Sequence, residues 1–193
     1  MPKSATDTKS RILKAASSLF SSHGYSGTTL DDIITASGIT KGAFYHYFKS
    51  KDSLCLEVLD EAINDYHSLA ESIDTEIEPI EQLRTIIHKI VELNASGHWV
   101  NCRLLLRFST DSHESNPELQ RKVRNFWQWY TSFYENLIIR CRDVGQLGTQ
   151  MEAKVLAKLL ISTMAGAVVL DKTAPDESQS HCPAEAVINI LLA

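Results

Sequence analysis

Apolar residues recur three or four positions apart along almost the whole chain, and no stretch alternates apolar and polar residues as a β-strand would. The first such segment runs roughly over residues 8–23, with Ile12, Ala16 and Phe20 on one face. With 193 residues, of which 44% are hydrophobic, the chain can bury a core without disulfides. The periodicity therefore predicts an all-α fold of about nine helices.

Capping residues predict where several of these helices begin. Thr29 and Asp32 have the spacing of a capping box at the start of a short second helix. Asn116, followed by proline, predicts the start of the longest helix. A second capping box at Thr149 and Glu152 predicts the start of the eighth helix, and a ninth is expected after residue 183.

The net charge of −5 is unevenly distributed along the chain. Residues 1–51 contain seven Lys and Arg against three Asp, a net charge of +4. Residues 52–193 contain twelve Lys and Arg against twenty-one Asp and Glu, a net charge of −9. A basic N-terminal segment on an acidic protein is compatible with a nucleic-acid partner, which the total charge would argue against.

The cysteines and the N-terminal residues predict a cytoplasmic protein. The four cysteines are far apart and form no CxxC pair, and residues 1–10 lack the apolar segment of a signal peptide. We therefore expect reduced thiols. The longest weakly polar run, residues 159–170, is too short to span a bilayer, so no membrane partner is expected.

The segment from Leu30 to Tyr47 has the pattern of a helix-turn-helix. Gly38 suits the turn, and Ile33, Phe44 and Tyr47 are spaced to pack the two short helices together. The second helix is left with a polar outer face. Two short amphipathic helices around a glycine are also common in α-helical cores, so this pattern alone leaves both interpretations open.

The residues around this segment carry a more specific resemblance. The strings RILKAASSLF (11–20), GYSGTTLDDI (24–33) and SGITKGAFYHYFKSK (37–51) closely resemble the DNA-binding domain of TetR-family bacterial transcriptional regulators. One departure is Ile34, where the pattern usually has a small residue. The resemblance implies a three-helix DNA-binding domain at residues 1–50 and a helical ligand-binding and dimerisation domain at residues 51–193.

The short helix after the turn contains residues suited to the major groove. Gly42 and Ala43 would let its first turn approach base edges, with the Ala43 methyl near a thymine methyl. Lys41 would reach a guanine or a phosphate. The full set of predicted DNA-binding residues is Thr28, Thr29, Thr40, Lys41, Gly42, Ala43, Tyr45, His46, Lys49 and Lys51. The resemblance implies the same roles for Lys41, Gly42, Tyr45, His46 and Lys51.

Plainer roles remain open for some of these residues. Tyr45, together with Tyr47 and Phe48, could be core, and the lysines could form an ordinary solvated surface. Because the lysines cluster beside the turn in the basic segment, DNA binding is favoured for them.

Aromatic residues on the fourth to seventh helices predict a pocket for a small, mainly apolar ligand, aromatic or anionic. The predicted lining residues are Tyr66, His67, Trp99, Cys102, Arg103, Leu106, Phe126, Trp127, Tyr130 and Tyr134. Ordinary core packing is the alternative for each. His98 and Cys102 are spaced for a metal, but the sequence offers no second pair, so neither a metal nor another cofactor is predicted.

Small and apolar residues near the C-terminus predict a surface for pairing two copies of the chain. They are Leu159, Ser162, Gly166 and Val169 on the eighth helix and Val187, Ile190 and Leu191 on the ninth. The resemblance implies a four-helix dimer interface here, and packing within one chain is the alternative.

The sequence lacks the common catalytic motifs, including GxSxG, the P-loop, the dinucleotide glycine motif and HExxH. We therefore do not expect an enzyme. Since one recognition helix reads few base pairs, we expect a symmetric dimer that binds a near-palindromic duplex. The resemblance implies a repressor released by its ligand, and activation stays open. A helical adaptor or ligand carrier that never touches DNA is the competing class.

Overall fold

The computed structural model describes residues 5–97, 99–111 and 116–173, together with Ala186 and Asn189. Within these ranges the secondary structure is helical and contains no strand, which confirms the all-α prediction. Eight helices are described: α1 Ala5–His23, α2 Leu30–Ser37, α3 Lys41–Tyr47, α4 Lys51–Glu71, α5 Pro79–Ala95, α6 Asn101–Thr110, α7 Pro117–Asp143 and α8 Ala153–Thr173. The ninth helix, with Val187, Ile190 and Leu191, falls outside the described residues.

Two of the three predicted helix starts are confirmed. The Thr29 hydroxyl accepts a hydrogen bond from the amide of Asp32, whose carboxylate accepts one from the amide of Thr29. The Asn116 side chain accepts a hydrogen bond from the amide of Leu119 at the start of α7. The capping box at Thr149 is wrong, because α8 begins at Ala153 and the Thr149 hydroxyl accepts from the amide of Met151 instead.

The chain divides into two compact units, which differ from the predicted domains in their residues. The first contains Met1–Tyr66 and Val100–Arg124, and the second contains His67–Trp99 and Asn125–Ala193. Helices α4 and α7 each contribute residues to both units. The division into a DNA-binding domain at residues 1–50 and a ligand-binding and dimerisation domain at residues 51–193 stays a prediction.

The first unit has an apolar core under the three N-terminal helices. Ile12 and Phe20 of α1, Ile33 of α2 and Phe44 of α3 are completely buried. Phe20 also packs against Phe108 of α6, with ring centroids 5.9 Å apart. The helices that carry the turn are therefore held by a core to which the later helix α6 also contributes.

The second unit contains a buried polar residue, Gln82, whose side-chain amide group and carbonyl oxygen both form hydrogen bonds. Its side-chain amide donates to the carbonyl oxygens of Thr75 and Ile77, in the connection before α5. Its carbonyl oxygen accepts a hydrogen bond of 3.0 Å from Arg140 on α7. These contacts satisfy a polar group that would otherwise be costly to bury.

Helix α8 has one buried face and one exposed apolar face. Leu156, Leu160 and Met164 are buried, whereas Leu159 and Val169 are about half exposed. By length and composition alone, the eighteen residues of α8 from position 153 to 170 could cross a membrane. This segment is longer than residues 159–170, the apolar run that the sequence analysis identified. The buried stripe gives a different reason for that composition, because this face packs inside the protein.

The three cysteines in the described residues are free and buried: Cys55, Cys102 and Cys141. Burial raises the pKa of Cys102 and of Cys141 to about 11, and it raises the pKa of Cys55 as well. These thiols are therefore protonated at neutral pH, and the reactive thiolate is scarce.

Candidate nucleic-acid interface

The turn between α2 and α3 is closed by a glycine in the left-handed conformation. Gly38 has φ of +61° and ends α2, its amide donating to the helix carbonyls. A guanidinium nitrogen of Arg11 donates to the carbonyl oxygens of Ser37 and of Gly38, the second at 3.1 Å. Arg11 on α1 thus holds the turn, a role that the sequence pattern did not reveal.

Helix α3 begins at a capping threonine. The Thr40 hydroxyl accepts a hydrogen bond of 3.2 Å from the amide of Ala43. With its hydroxyl used in this way, Thr40 orients the first turn of α3 and satisfies one of its unpaired amides.

The two faces of α3 differ as the sequence predicts. Phe44 and Phe48 are buried, and Tyr47 is half-buried. The side chains of Lys41, His46 and Lys49 are exposed, and Tyr45 is 51% exposed. Core is therefore the correct interpretation of Phe48 and the wrong one for Tyr45, whose ring meets Phe44 only edge-on.

The glycine at position 42 is not required by packing against the residues that the structure describes. A Cβ placed on Gly42 would meet only the Thr40 hydroxyl, at 4.0 Å. By contrast, a Cβ on Gly38 would lie 3.0 Å from the Arg11 guanidinium, in a backbone conformation that already favours glycine. The slim surface at Gly42 is thus free to serve a contact outside the chain.

The prediction for the Thr28 side chain is wrong. Thr28 is 1% exposed, and its hydroxyl donates 2.8 Å to the carbonyl oxygen of Gly24. A buried hydroxyl committed to the backbone cannot donate to a phosphate. Thr29 is exposed at the start of α2, and hydrogen bonds from its hydroxyl and its amide lower the pKa of the Asp32 carboxyl.

Lys51 has partners within the chain. Its ammonium donates to the carbonyl oxygens of Tyr25 and Thr28, each at 2.9 Å, and lies 4.0 Å from the centroid of the Tyr25 ring. Lys51 therefore holds the connection between α1 and α2. A contact of Lys51 with phosphate stays a prediction, since an ammonium has three donors.

The predicted pocket residues lie in both units. Tyr66, Cys102, Arg103 and Leu106 belong to the first. The second contains His67, Trp99, Phe126, Trp127, Tyr130 and Tyr134.

In the second unit, α7 carries a connected set of aromatic rings. The hydroxyls of Tyr130 and Tyr134 lie 3.3 Å apart, and the Tyr134 hydroxyl also contacts the sulfur of Met164. Trp129, which the sequence analysis overlooked, packs against His67 with ring centroids 3.9 Å apart and an angle of 33° between the ring planes. Trp129 lies one helical turn before Phe133 on α7, and this spacing is the sequence signal that places it beside other aromatic residues.

An exposed, capped helix that follows a tight turn and packs on a core of three helices has the geometry of a helix-turn-helix, a motif with which many proteins bind DNA. The profile of the family described as "Bacterial regulatory proteins, tetR family" matches residues 12–58. Residues 12–58 therefore form a DNA-binding domain of the TetR family, and transcriptional regulators match most of the chain.

Two curated relatives match most of the chain. The HTH-type transcriptional repressor DhaR of Mycobacterium sp. (strain GP1) is 29% identical over 168 residues, covering 85% of this chain and 82% of that protein. The HTH-type transcriptional regulator TtgR of Pseudomonas putida is 26% identical over 171 residues, covering 85% of this chain and 80% of that protein.

The fold is also similar to that of a solved TetR-family regulator from Agrobacterium tumefaciens. The TM-score is 0.85 at 20% identity, over 98% of this chain and all of that one. The helical architecture of the regulator family therefore extends along the chain beyond the residues of the DNA-binding domain.

Replacing Gly42 with leucine tests whether its slim surface serves DNA. We expect Gly42→Leu not to lower the unfolding temperature, because a Cβ there makes only an ordinary contact with Thr40 and leucine favours a helix. We expect it to weaken DNA binding by about tenfold, because the side chain would hold the backbone away from base edges. Fluorescence anisotropy with labelled duplex measures the affinity. Ala95→Leu, at an exposed position on α5, is the control, and equal binding by both variants would contradict the interpretation.

Proposed function

We propose that this regulator is a cytoplasmic homodimeric repressor that binds a near-palindromic operator and releases it when a small, mainly apolar molecule binds. The observation that carries the proposal is the exposed face of α3, with Lys41, Tyr45 and His46 around the open position at Gly42. The name of DhaR, a transcriptional repressor, supports repression as the direction of control.

For DNA contacts, we assign base readout to the first turn of α3 and phosphate contacts to its flanks. Lys41 and Ala43 would face base edges, and Tyr45 and His46 would lie along the groove. Lys49 and Thr29 would donate to phosphates on either side. The acidic remainder of the chain disfavours phosphate contacts elsewhere, which leaves the basic N-terminal segment to dock.

Pairing of two chains through α8 is supported by an exposed apolar stripe. Val155 and Leu159 are 46% and 45% exposed and lie four residues apart on one face. Farther along the same face, a Cβ on Gly166 would meet nothing within 4 Å. A glycine whose Cβ would meet no described residue suits the close approach of a second helix.

Ligand binding is assigned to the aromatic residues of α7 and their neighbours. Phe126 and Tyr130 stack with ring centroids 5.3 Å apart, and Trp127 meets both rings edge-on. Rigid aromatic surface with the hydroxyls of Tyr130 and Tyr134 suits a mainly apolar ligand with few polar groups.

Release requires that the ligand bind more tightly to a form of the dimer that does not fit DNA. Two recognition helices must lie about 34 to 36 Å apart to enter successive major grooves. Helix α4 begins at Lys51, directly after the recognition helix, and reaches Tyr66 and His67 at its other end. A ligand that moves α4 would therefore change that separation.

DNA binding should depend steeply on salt. With six to ten phosphate contacts, the affinity for DNA from upstream of its own gene should fall by about 10³ to 10⁵ between roughly 50 and 200 mM salt. Lys49→Ala should reduce the slope by about one per subunit, whereas Arg121→Ala, at an exposed position on α7, should not. A gel shift with competitor DNA measures both. A protein that shifts no duplex would be an adaptor or a ligand carrier.

A charge on the α8 stripe should separate the dimer. Leu159→Glu places a carboxylate on the proposed interface, and we expect a monomer by light scattering and at least about tenfold weaker operator binding, because a buried unpaired charge is costly. Gln128→Glu adds the same charge at an exposed position on α7 and should remain a dimer. A dimeric Leu159→Glu protein would refute α8 as the interface.

A ligand should stabilise the protein and release its DNA together. From a library of hydrophobic compounds, any that raises the unfolding temperature should lower operator affinity, because it binds the other form preferentially. Trp127→Ala should lose this response while DNA affinity stays within about twofold, whereas Ile139→Ala, at an exposed position farther along α7, should keep it. Compounds that stabilise the protein without releasing DNA would argue against this mechanism.

A further inference from the structure

The end of α6 is hydrogen-bonded to the last turn of α1 and to the connection between α1 and α2. A guanidinium nitrogen of Arg107 donates 3.1 Å to the carbonyl oxygen of Ser22, near the end of α1. The Asp111 carboxylate accepts a hydrogen bond of 2.9 Å from the backbone amide of Tyr25. Arg107 and Asp111 are four residues apart at the end of α6, and we call this pair the loop clamp.

The clamp sits too close to the loop for any side chain at position 24. Gly24 has φ of +76°, and a Cβ on it would lie 2.3 Å from a carboxylate oxygen of Asp111. The Gly24 backbone is thus in contact with the Asp111 carboxylate. A displacement of the end of α6 must therefore be accommodated by the loop.

On its other side the loop is held by the start of α4. Besides the bonds from Lys51 to its carbonyls, the Tyr25 hydroxyl donates to the carboxylate of Asp52. Burial and the neighbouring Asp52 carboxylate raise the pKa of Tyr25. The ring also stacks on Phe20, with centroids 6.1 Å apart. Tyr25 is therefore fixed through its amide, its carbonyl, its ring and its hydroxyl.

The position of the loop also determines where the DNA-binding helices lie. Gly24 accepts the buried hydrogen bond from Thr28, and Thr28 precedes Thr29, the residue that caps α2. Helix α2 in turn ends at the turn into α3. The start of α2 and the direction of α3 thus follow the end of α6, although more than eighty residues separate Tyr25 and Asp111 in sequence.

We propose that Arg107 and Asp111 are positioning residues for operator binding, through which the end of α6 holds α2 and α3 in the orientation that fits DNA. The proposal rests on the proposed function as a DNA-binding regulator. Arg103 and Leu106, both predicted ligand contacts, lie earlier on α6. Arg107, one turn after Arg103 on the same helix, donates its hydrogen bond to the end of α1.

The experiment compares variants of the full-length protein on a duplex that the wild-type protein selects from a random-sequence pool. Asp111→Ala removes the acceptor for the Tyr25 amide and should weaken binding by about tenfold, the cost of a hydrogen bond to a charged group. Asp111→Asn keeps an oxygen acceptor and should bind within about twofold of wild type. Hydrogen exchange should show the Tyr25 amide protected in wild type and Asp111→Asn and exposed in Asp111→Ala.

A second pair of variants distinguishes the effect of the clamp on DNA affinity from the effect of losing a positive charge. This comparison does not depend on whether Asp111→Ala folds. Arg107→Ala should weaken binding by about threefold, and Arg121→Ala, which removes the same charge from an exposed pair with Glu118, should not. Circular dichroism at the assay temperature confirms that each protein is folded.

Several results would overturn the proposal. Wild-type affinity in Asp111→Ala with an exposed Tyr25 amide would show that loop position does not matter to DNA binding. Equal weakening of DNA binding by Asp111→Asn and Asp111→Ala would refute the hydrogen bond as the cause. Equal weakening by Arg107→Ala and Arg121→Ala would show that the effect comes from the loss of positive charge and not from the contact with Ser22. A wild-type protein that selects no duplex would refute the proposed function instead.

Discussion

Helix α3 has only seven residues, which is too few to be stable alone in water, so its existence depends on what holds it. Thr40 caps its first turn, Phe44 and Phe48 bury one face, and Gly38 closes the turn before it. These supports leave the other face for DNA. The recognition surface is therefore stable only as part of the first unit, and the core beneath it determines where its side chains point.

That core is assembled from distant parts of the chain. Phe108 of α6 packs on Phe20 of α1, and Asp111 contacts the loop at Gly24. The compact unit that contains the DNA-binding helices consequently includes residues 100–124 as well as the N-terminal segment. Residues 100–124 therefore belong to the unit that binds DNA, although they lie within residues 51–193, the domain predicted to bind ligand. This arrangement suits coupling between two functions.

Local signals predicted much of the fold and of the site. The helical period, the cap at Thr29 and the start of α7 at Asn116 follow from neighbouring residues, because capping depends on groups three positions apart. The exposed side of α3 followed from its own pattern. The Thr149 box failed because its hydroxyl bonds within a preceding turn. The apolar run of α8 was read as too short because the exposed Lys154 and Lys158 interrupt it.

The sequence by itself determined the helical class, the turn at Gly38 and the basic character of the N-terminal segment, because each depends on residues adjacent in the chain. Only the tertiary structure decided which polar groups remain available. The Thr28 hydroxyl donates to the carbonyl oxygen of Gly24, and the Lys51 ammonium donates to that of Tyr25. The Asp111 carboxylate, at the end of α6, accepts from the Tyr25 amide. Such contacts form between segments brought together by packing, and no local periodicity or spacing records which donor meets which acceptor.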